Sequence, residues 1–292
     1  MESNCHRLRI STYNIQNIAN CYSERKIHLK QILSKLDSDI LGLQEVSFLE
    51  PNQLPEIFEA NLLEKYRFFF AKSQLNFSKV HNLGKNEFNI DGNVLCVKKS
   101  LFGSLFEESG EKEDILHLSP ERAINILELK IKGSEEKVIF VNVHLHTFKD
   151  APCHDAIRSH QIFYVKRIIE EKFENSKKGV AFWFGDFNLF PSDFTYGQIM
   201  DSGFLSVFKE VKGREPQKTW PVSDMIPEDE PDYPGCIDYI FVRSFDSQLE
   251  ILTEGCGMEG NSPINVKEEE KGEKGLFPSD HVALFADFKV KR

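Results

Sequence analysis

The sequence predicts an α/β fold in which two packed β-sheets are covered on the outside by helices. Three observations carry this expectation. Apolar, alternating runs of strand length outnumber helical patterns along the 292 residues. The helical patterns are spread between the strands rather than gathered at one end. No internal repeat and no linker divides the chain into compositional halves, so residues 1–292 are read as a single domain. A split near residue 150 is the alternative, weakened by candidate polar residues falling in both halves. Chains of this length hide about three quarters of their unfolded surface, enough for a large core.

Residues 7–14 alternate and predict a strand ending at Asn14. Residues 23–36 suit a helix, with Ser23 as N-cap and Ile27, Leu29, Ile32, Leu33 and Leu36 as its apolar face. Asp39 to Glu45 predicts a short buried strand with a charged end, and Gln53 to Glu64 a helix. Tyr66–Ala71 and Gly92–Lys98 read as strands around a polar surface loop, 72–91. Phe102–Phe106 reads as a further short strand, and the acidic run Glu107–Asp114 as a solvated turn. Arg122–Ile131 and Lys137–His144 are strong β patterns joined by a hairpin linker, 132–136. His154–Phe173 is helical, with Ile157, Ile162, Val165, Ile169 and Phe173 on one face. Val180–Phe184 is the next strand, followed by a helix from Ser192 or Asp193 to Met200. The stretch 210–234, rich in Pro, Gly and acid, predicts a long covering loop. Cys236–Val242 and Gln248–Thr253 read as strands, Gly257–Gly275 as a polar mobile segment, and His281–Phe288 as the closing strand.

Thirty-six Lys and Arg against 46 Asp and Glu give a net charge of −10, which argues against a broad, non-specific grip on a polyanion. A local basic groove stays open, and bound divalent cations would offset acidic charge at a site. The six cysteines are scattered, and none forms the paired spacing of a zinc knuckle or a thioredoxin-like site. The N-terminus has no apolar leader core, and no apolar run approaches the length of a membrane span. These features lead us to expect a soluble intracellular protein, cytoplasmic or nuclear, with free thiols.

The most informative stretch is 182–190, Phe-Trp-Phe-Gly-Asp-Phe-Asn-Leu-Phe. An apolar run ends at Gly185, and Asp186 and Asn188 follow one residue apart. In extended backbone, positions two apart point the same way, so a carboxylate and a carboxamide face one spot. One can take a proton from water and the other can donate to a charged oxygen, as phosphoester hydrolysis requires. A strand running into an Asx-turn is the bland alternative. Other strands also end in polar residues: Asn14, Glu45, His144, Asp238 and the Asp280-His281 pair. Side chains at strand ends on one rim of a sandwich converge on one cleft.

The segments Thr12-Tyr-Asn-Ile, Leu43-Gln-Glu-Val, Val141-Asn-Val-His-Leu, Gly185-Asp-Phe-Asn, Ile237-Asp-Tyr-Ile and Pro278-Ser-Asp-His occur in this order across nearly the whole chain. As a set they resemble the endonuclease/exonuclease/phosphatase superfamily. The resemblance implies a four-layer, DNase I-like sandwich. It also implies magnesium-dependent cleavage of a phosphoester by an activated water, with manganese as a substitute.

The resemblance assigns Glu45 as principal metal ligand, Asn14 as its support, and Asp280 a place near the metal. Magnesium favours such hard oxygen donors. Asp186 would orient or deprotonate the attacking water, and Asn188 would hold a phosphoryl oxygen. His144 would donate to phosphate. Asp238 would orient His281, which then serves as charged donor or as the acid–base partner of Asp186. Arg158, on the helix after a His-Leu-His segment, could reach a substrate phosphate, or pair with Asp155 on the helix surface. Asn93 would line the cleft or sit in a hairpin.

There are departures from the pattern. Gln16 stands where many nucleases of this group carry a carboxylate, which puts a second metal in doubt. The Asp238 segment lacks the Trp-Cys-Asp-Arg signature of inositol polyphosphate 5-phosphatases. The substrate class stays open among nucleic-acid ends, nucleotides and other phosphoesters. No stable membrane association is expected, although the Phe68-Phe69-Phe70 run is apolar enough to leave phospholipid substrates in view. A monomer is expected. The competing reading is a catalytically inactive relative that acts as a binding or scaffold protein, with Gln16 as its sequence support.

Overall fold

The computed structural model describes residues 5–16, 22–48, 53–74, 91–147, 153–174, 178–222, 235–264 and 276–291. Two six-stranded mixed sheets face each other. The first contains β1 (Cys5–Asn14), β2 (Ile40–Ser47), β3 (Tyr66–Lys72), β4 (Asp91–Lys98), β11 (Glu250–Glu259) and β12 (Ala283–Lys291), in the order β11-β12-β1-β2-β4-β3. The second contains β5 (Lys112–Ser119), β6 (Arg122–Lys130), β7 (Lys137–His144), β8 (Gly179–Asp186), β9 (Leu205–Ser206) and β10 (Asp238–Phe245), in the order β5-β6-β7-β8-β10-β9. Each sheet has one parallel pair at its centre, β1 with β2 and β7 with β8. A parallel pair needs a crossover, and helices α1 (Tyr22–Leu36) and α4 (Cys153–Phe173) supply it.

Hydrophobic burial explains the layers. Leu8, Ile10, Leu95 and Val97 of the first sheet meet Phe140, Phe182, Phe184 and Ile240 of the second in one buried cluster. The opposite face of the first sheet packs Tyr13, Leu41, Leu43 and Val94 against Leu29 and Leu33 of α1. The same cluster includes residues of α2 (Leu54–Ile57) and α3 (Ala60–Leu63). The outer face of the second sheet packs Ile139, Val141, Ala181 and Trp183 against Ile162, Val165 and Ile169 of α4 and Ile199 of α5 (Phe194–Asp201). The result is the helix–sheet–sheet–helix order expected from sequence.

A polar rung interrupts the apolar inter-sheet layer near one rim. Gln44 donates to Thr12 Oγ1 (3.0 Å) and to Asn142 Oδ1 on the other sheet (2.6 Å). The Asn142 amide donates back to the carbonyls of Leu43 (3.3 Å) and Val94 (3.2 Å). Buried polar groups are tolerated when satisfied in this way. The sheets approach closely here: a Cβ on Gly42 would lie 2.6 Å from Asn142 Oδ1 and from the Phe184 ring. Gly42→Ala is therefore expected to destabilise the fold by about 1–3 kcal/mol through overpacking, measurable as a lower midpoint in urea with unchanged slope.

Several local expectations need correction. The helix expected over 53–64 is two short helices broken at Phe58 and Glu59, which are extended. The break lets Phe58 bury against Tyr66 and Phe68. Phe102–Phe106 is not a strand but a tight turn held by a bridge between its ends. The acidic stretch ends inside a strand, since Lys112–Asp114 begin edge strand β5; one exposed face makes such a strand look like a turn. Tyr22 already lies inside α1, so Ser23 is not its cap. Ile27 (57% exposed) and Ile157 (38%) are not on the packed helix faces, where Arg25, Arg158 and Gln161 are buried instead.

Asp193 occupies the cap position of α5, but its carboxylate accepts from Phe190 N (2.9 Å) rather than from the helix. A short helix α6 (Val207–Lys212) takes up the start of the loop expected at 210–234, and Gly257–Glu259 belong to β11. Within the expected loops, 75–90, 223–234 and 265–275 lie outside the described residues. Phe69 is buried between the sheets, while Phe68 and Phe70 pack on the helix side. Among the described residues the cysteines are free, and no helix is long and apolar enough to cross a membrane.

Candidate active site

The rim at the ends of the two parallel pairs gathers the polar strand endings. Pairing register does part of the work: His144, Asp186 and Asp238 are direct neighbours across β7, β8 and β10. Gly185 makes this pairing feasible. Its φ is +138°, and a Cβ there would lie 2.0 Å from the Val143 carbonyl oxygen. On the facing sheet, β2 bulges between Leu43 and Val46, and Glu45 adopts φ +54°. Bulges re-aim side chains beside functional sites. Gln16 (φ +48°) and Asn188 (φ +50°) are also left-handed, so three of the five such non-glycine residues among those described flank this rim. Strained backbone of this kind persists where the surroundings over-determine it.

Asn14 bridges the sheets. Its Nδ2 donates to Glu45 Oε1 (3.1 Å) and to Asp186 Oδ2 (2.9 Å). Asp186 Oδ2 also lies 3.6 Å from His144 Nε2 and 3.7 Å from His281 Nε2. Its other oxygen accepts from Asn188 N (2.9 Å). His281 Nδ1 faces Asp238 Oδ2 at 3.0 Å, and its Nε2 is 3.9 Å from Asp280 Oδ1. The structure thus brings together Asn14, Glu45, His144, Asp186, Asn188, Asp238, Asp280 and His281.

It does not bring in Arg158 or Asn93 by any contact among the described residues. Arg158 is buried rather than on the helix surface; it donates to the Thr147 carbonyl (3.0 Å) and pairs with Asp155. Asn93 is buried between the sheets, donating to the carbonyls of Ala123 (3.0 Å) and Asn142 (3.4 Å).

Charge in the cluster is strongly organised. Burial pushes the Asp186 carboxyl up to about 7; His281 opposes this, and Asp238 reinforces it. Burial acts to lower the His281 pKa, yet Asp238, Asp280 and Asp186 together raise it to about 10, so the ring is charged at neutral pH. His144 is held neutral by burial, with the Arg122 charge adding to the effect. Burial raises the Glu45 carboxyl, and the charges of Asp280 and Asp91 raise it further.

That crowding of carboxylates bears on a cation. Among the described residues Glu45 has only the Asn14 amide within hydrogen-bond distance, with His144 Nε2 at 3.9 Å, while two other carboxylates press on it. A hard divalent ion at Glu45, with Asn14 and Asp280 nearby, would relieve this, and the oxygen donors fit it. Asp186, Asp238 and His281 also offer ligand atoms within 4.8 Å of one another. Within that trio Asp238 already faces His281 Nδ1, at 3.0 Å from Oδ2 and 3.2 Å from Oδ1.

Other residues that shape the site are less visible in sequence. Ser279 Oγ donates to the Asn14 carbonyl (2.7 Å) and accepts from His281 N (3.2 Å). The Trp220 indole donates to Asp280 Oδ2 (3.0 Å). Thr219 Oγ1 accepts from Ile237 N (2.9 Å) and Asp238 N (3.2 Å). Ser279, Gln44 and Asn142 lie inside the motifs named above, so adjacency was their signal. Thr219 and Trp220 sit in a polar stretch with none.

Two facing sheets that present carboxylates and imidazoles along one rim define a phosphoester hydrolase of DNase I-like architecture. The model of the Endonuclease/Exonuclease/phosphatase family matches residues 11–281, and the chain belongs to that family, whose members depend on divalent metal. Among solved structures, truncated TDP2 from Caenorhabditis elegans is similar at 21% identity, with 97% of each chain covered and a TM-score of 0.65. TDP2 of D. rerio, solved with a single-strand DNA product, is 16% identical over 97% of this chain and 98% of that one, with a TM-score of 0.63. A mannosyl-6-phosphatase from Bacteroides thetaiotaomicron is 18% identical over 96% of this chain and 99% of that one, with a TM-score of 0.65. These likenesses speak for the fold. No curated protein sequence matches the chain.

Proposed function

We propose that residues 1–292 act as one domain that hydrolyses a phosphoester with magnesium, manganese substituting, by means of a water activated at Asp186 with His281. The observation that carries this reading is the environment of Asp186 Oδ2, which lies within 3.7 Å of Asn14 Nδ2, His144 Nε2 and His281 Nε2. A buried carboxylate with a raised pKa accepts a proton from water more readily than an exposed one. The cationic His281 ring, held by Asp238, donates from Nε2 to a phosphoryl oxygen or returns a proton to the leaving group. Neutral His144 donates to a second phosphoryl oxygen.

Asn188 gives one amide hydrogen to the Leu145 carbonyl (3.1 Å), which fixes the turn that aims Asp186, and in this reading holds a phosphoryl oxygen with the other. Glu45 and Asp280 would hold the divalent cation, with Asn14 supporting it through the Glu45 carboxylate; when bound, the cation polarises the phosphoryl group. Arg158 and Asn93 act at one remove from substrate in this reading, by fixing the segment after β7 and the inter-sheet rung.

The substrate class we propose is a nucleic-acid end, a nucleotide or another phosphoester, handled by a monomer without stable membrane association. D. rerio TDP2 was solved with single-strand DNA product, and a phosphatase shares the fold, so diester and monoester substrates both belong in the test. Oligonucleotides, nucleotides, phospholipids and p-nitrophenyl mono- and diesters should be assayed with magnesium and with EDTA. Metal-dependent turnover of at least one, absent in Asp186→Ala, is the expected result. Equal rates for wild type and variant on every substrate would favour the competing reading of an inactive binding protein.

A further inference from the structure

Arg25 stands apart from the other cations of the fold. It lies on α1, is 1% exposed, and makes no contact with a carboxylate among the described residues. Its guanidinium instead donates to three carbonyls. Nε reaches Pro278 O (2.8 Å), Nη1 reaches Gln16 O (3.1 Å), and Nη2 reaches Ile15 O (3.0 Å) and Gln16 O (3.2 Å). Burying an ionised group is expensive unless its donors are satisfied, so the placement calls for a reason beyond packing.

The carbonyls belong to two separate segments of the rim. Ile15 and Gln16 directly follow Asn14, and Gln16 holds a left-handed conformation with its N–H on Asn14 Oδ1 (3.0 Å). Pro278 directly precedes Ser279, Asp280 and His281. Ser279 makes the one other bond described between these segments, to Asn14 O. Asn14 in turn holds Glu45 and Asp186. Together with Ser279, the planar fork of one arginine therefore ties the Asn14–Glu45–Asp186 side of the cluster to the Asp280–His281 side. Lysine, a point donor, cannot span both. Its charge also lies near Asp280 and Glu45.

We propose that Arg25 is a positioning residue that clamps the Asn14 turn to the Asp280–His281 corner, so that His281 and Asp186 address the same phosphoryl group. The inference rests on the proposed hydrolase reading, and its test has one arm that does not. Arg25→Gln removes the clamp and the charge; Arg25→Lys keeps the charge and loses the fork. At a temperature where circular dichroism shows each variant folded, kcat on a p-nitrophenyl phosphodiester with magnesium should fall by on the order of a hundredfold, with KM within about twofold.

In metal-free protein, the ring proton and nitrogen signals of His281 should shift in both variants. A role in stability alone would lower the melting temperature and leave folded-state kcat and the His281 signals at wild-type values, and that result would overturn the assignment. Failure of both variants to fold would overturn it as well, by assigning Arg25 to stability. Should wild-type protein hydrolyse none of the substrates, the hydrolase reading falls, while the His281 signals still decide whether Arg25 positions that ring.

Discussion

Asp238→Asn should cost on the order of 10³–10⁴ in kcat while the protein stays folded, because the carboxamide keeps the shape but leaves His281 without the partner that fixes and charges its ring. The bond concerned is 3.0 Å from His281 Nδ1 to Asp238 Oδ2, in a pair only 4% and 1% exposed. A pH signature accompanies the loss. Burial alone would lower the His281 pKa; Asp238, followed by Asp280 and Asp186, lifts it to about 10. In the unfolded chain an ordinary histidine titrates near 6.5. Between these values the folded state holds a proton that the unfolded state has released. Metal-free wild-type protein should therefore have this stabilising contribution in full below about 6.5 and lose it as pH rises toward 10. Thermal midpoints measured across that window in EDTA should decline less steeply in Asp238→Asn. Parallel curves would mean that Asp238 does not set the charge of His281.

Asp186→Asn is the second large effect. We expect a loss of about 10²–10⁴ in kcat, the range associated with a positioned general base. The variant should fold, since asparagine can still accept from Asn188 N through its carbonyl oxygen, the bond that shapes the turn after β8. What it cannot do is take a proton at the position now held by Oδ2, between His144 and His281. Single-turnover rates would separate this from a binding defect. A variant that loses affinity but keeps its chemical step would place the base elsewhere.

Much of this arrangement was legible in sequence, for physical reasons. Strands with both faces buried, such as β7 and β8, read as unbroken apolar runs, and a polar residue closing such a run stands out. His144 and Asp186 were found that way, and Asp238 as the polar residue that opens β10. Edge strand β5 was not, because only one of its faces meets the protein and its Lys-Glu-Asp start imitates a turn. Arg25 and Arg158 were hidden by a different fact. Hydrophobic periodicity treats arginine as outward-facing, yet backbone carbonyls can satisfy a buried guanidinium as fully as water does. Ile27 and Ile157 were assigned inward by the same logic and are exposed. The bulge at Glu45 leaves no mark in composition, since it depends on how β2 pairs with β4. Asn93 sits in a recognisable segment, but only the facing sheet shows that its amide is committed to Ala123 and Asn142.

The pairing of β1 with β12 carries a consequence for biosynthesis. The strand that presents Asn14 emerges from the ribosome well before the partner that flanks it. Until β12 docks, a nascent chain exposes an open edge on the sheet that carries Glu45, with Asp280 and His281 only just emerging. Catalytic competence should thus switch on late and abruptly during synthesis, and the waiting edge is where a chaperone would have most to protect.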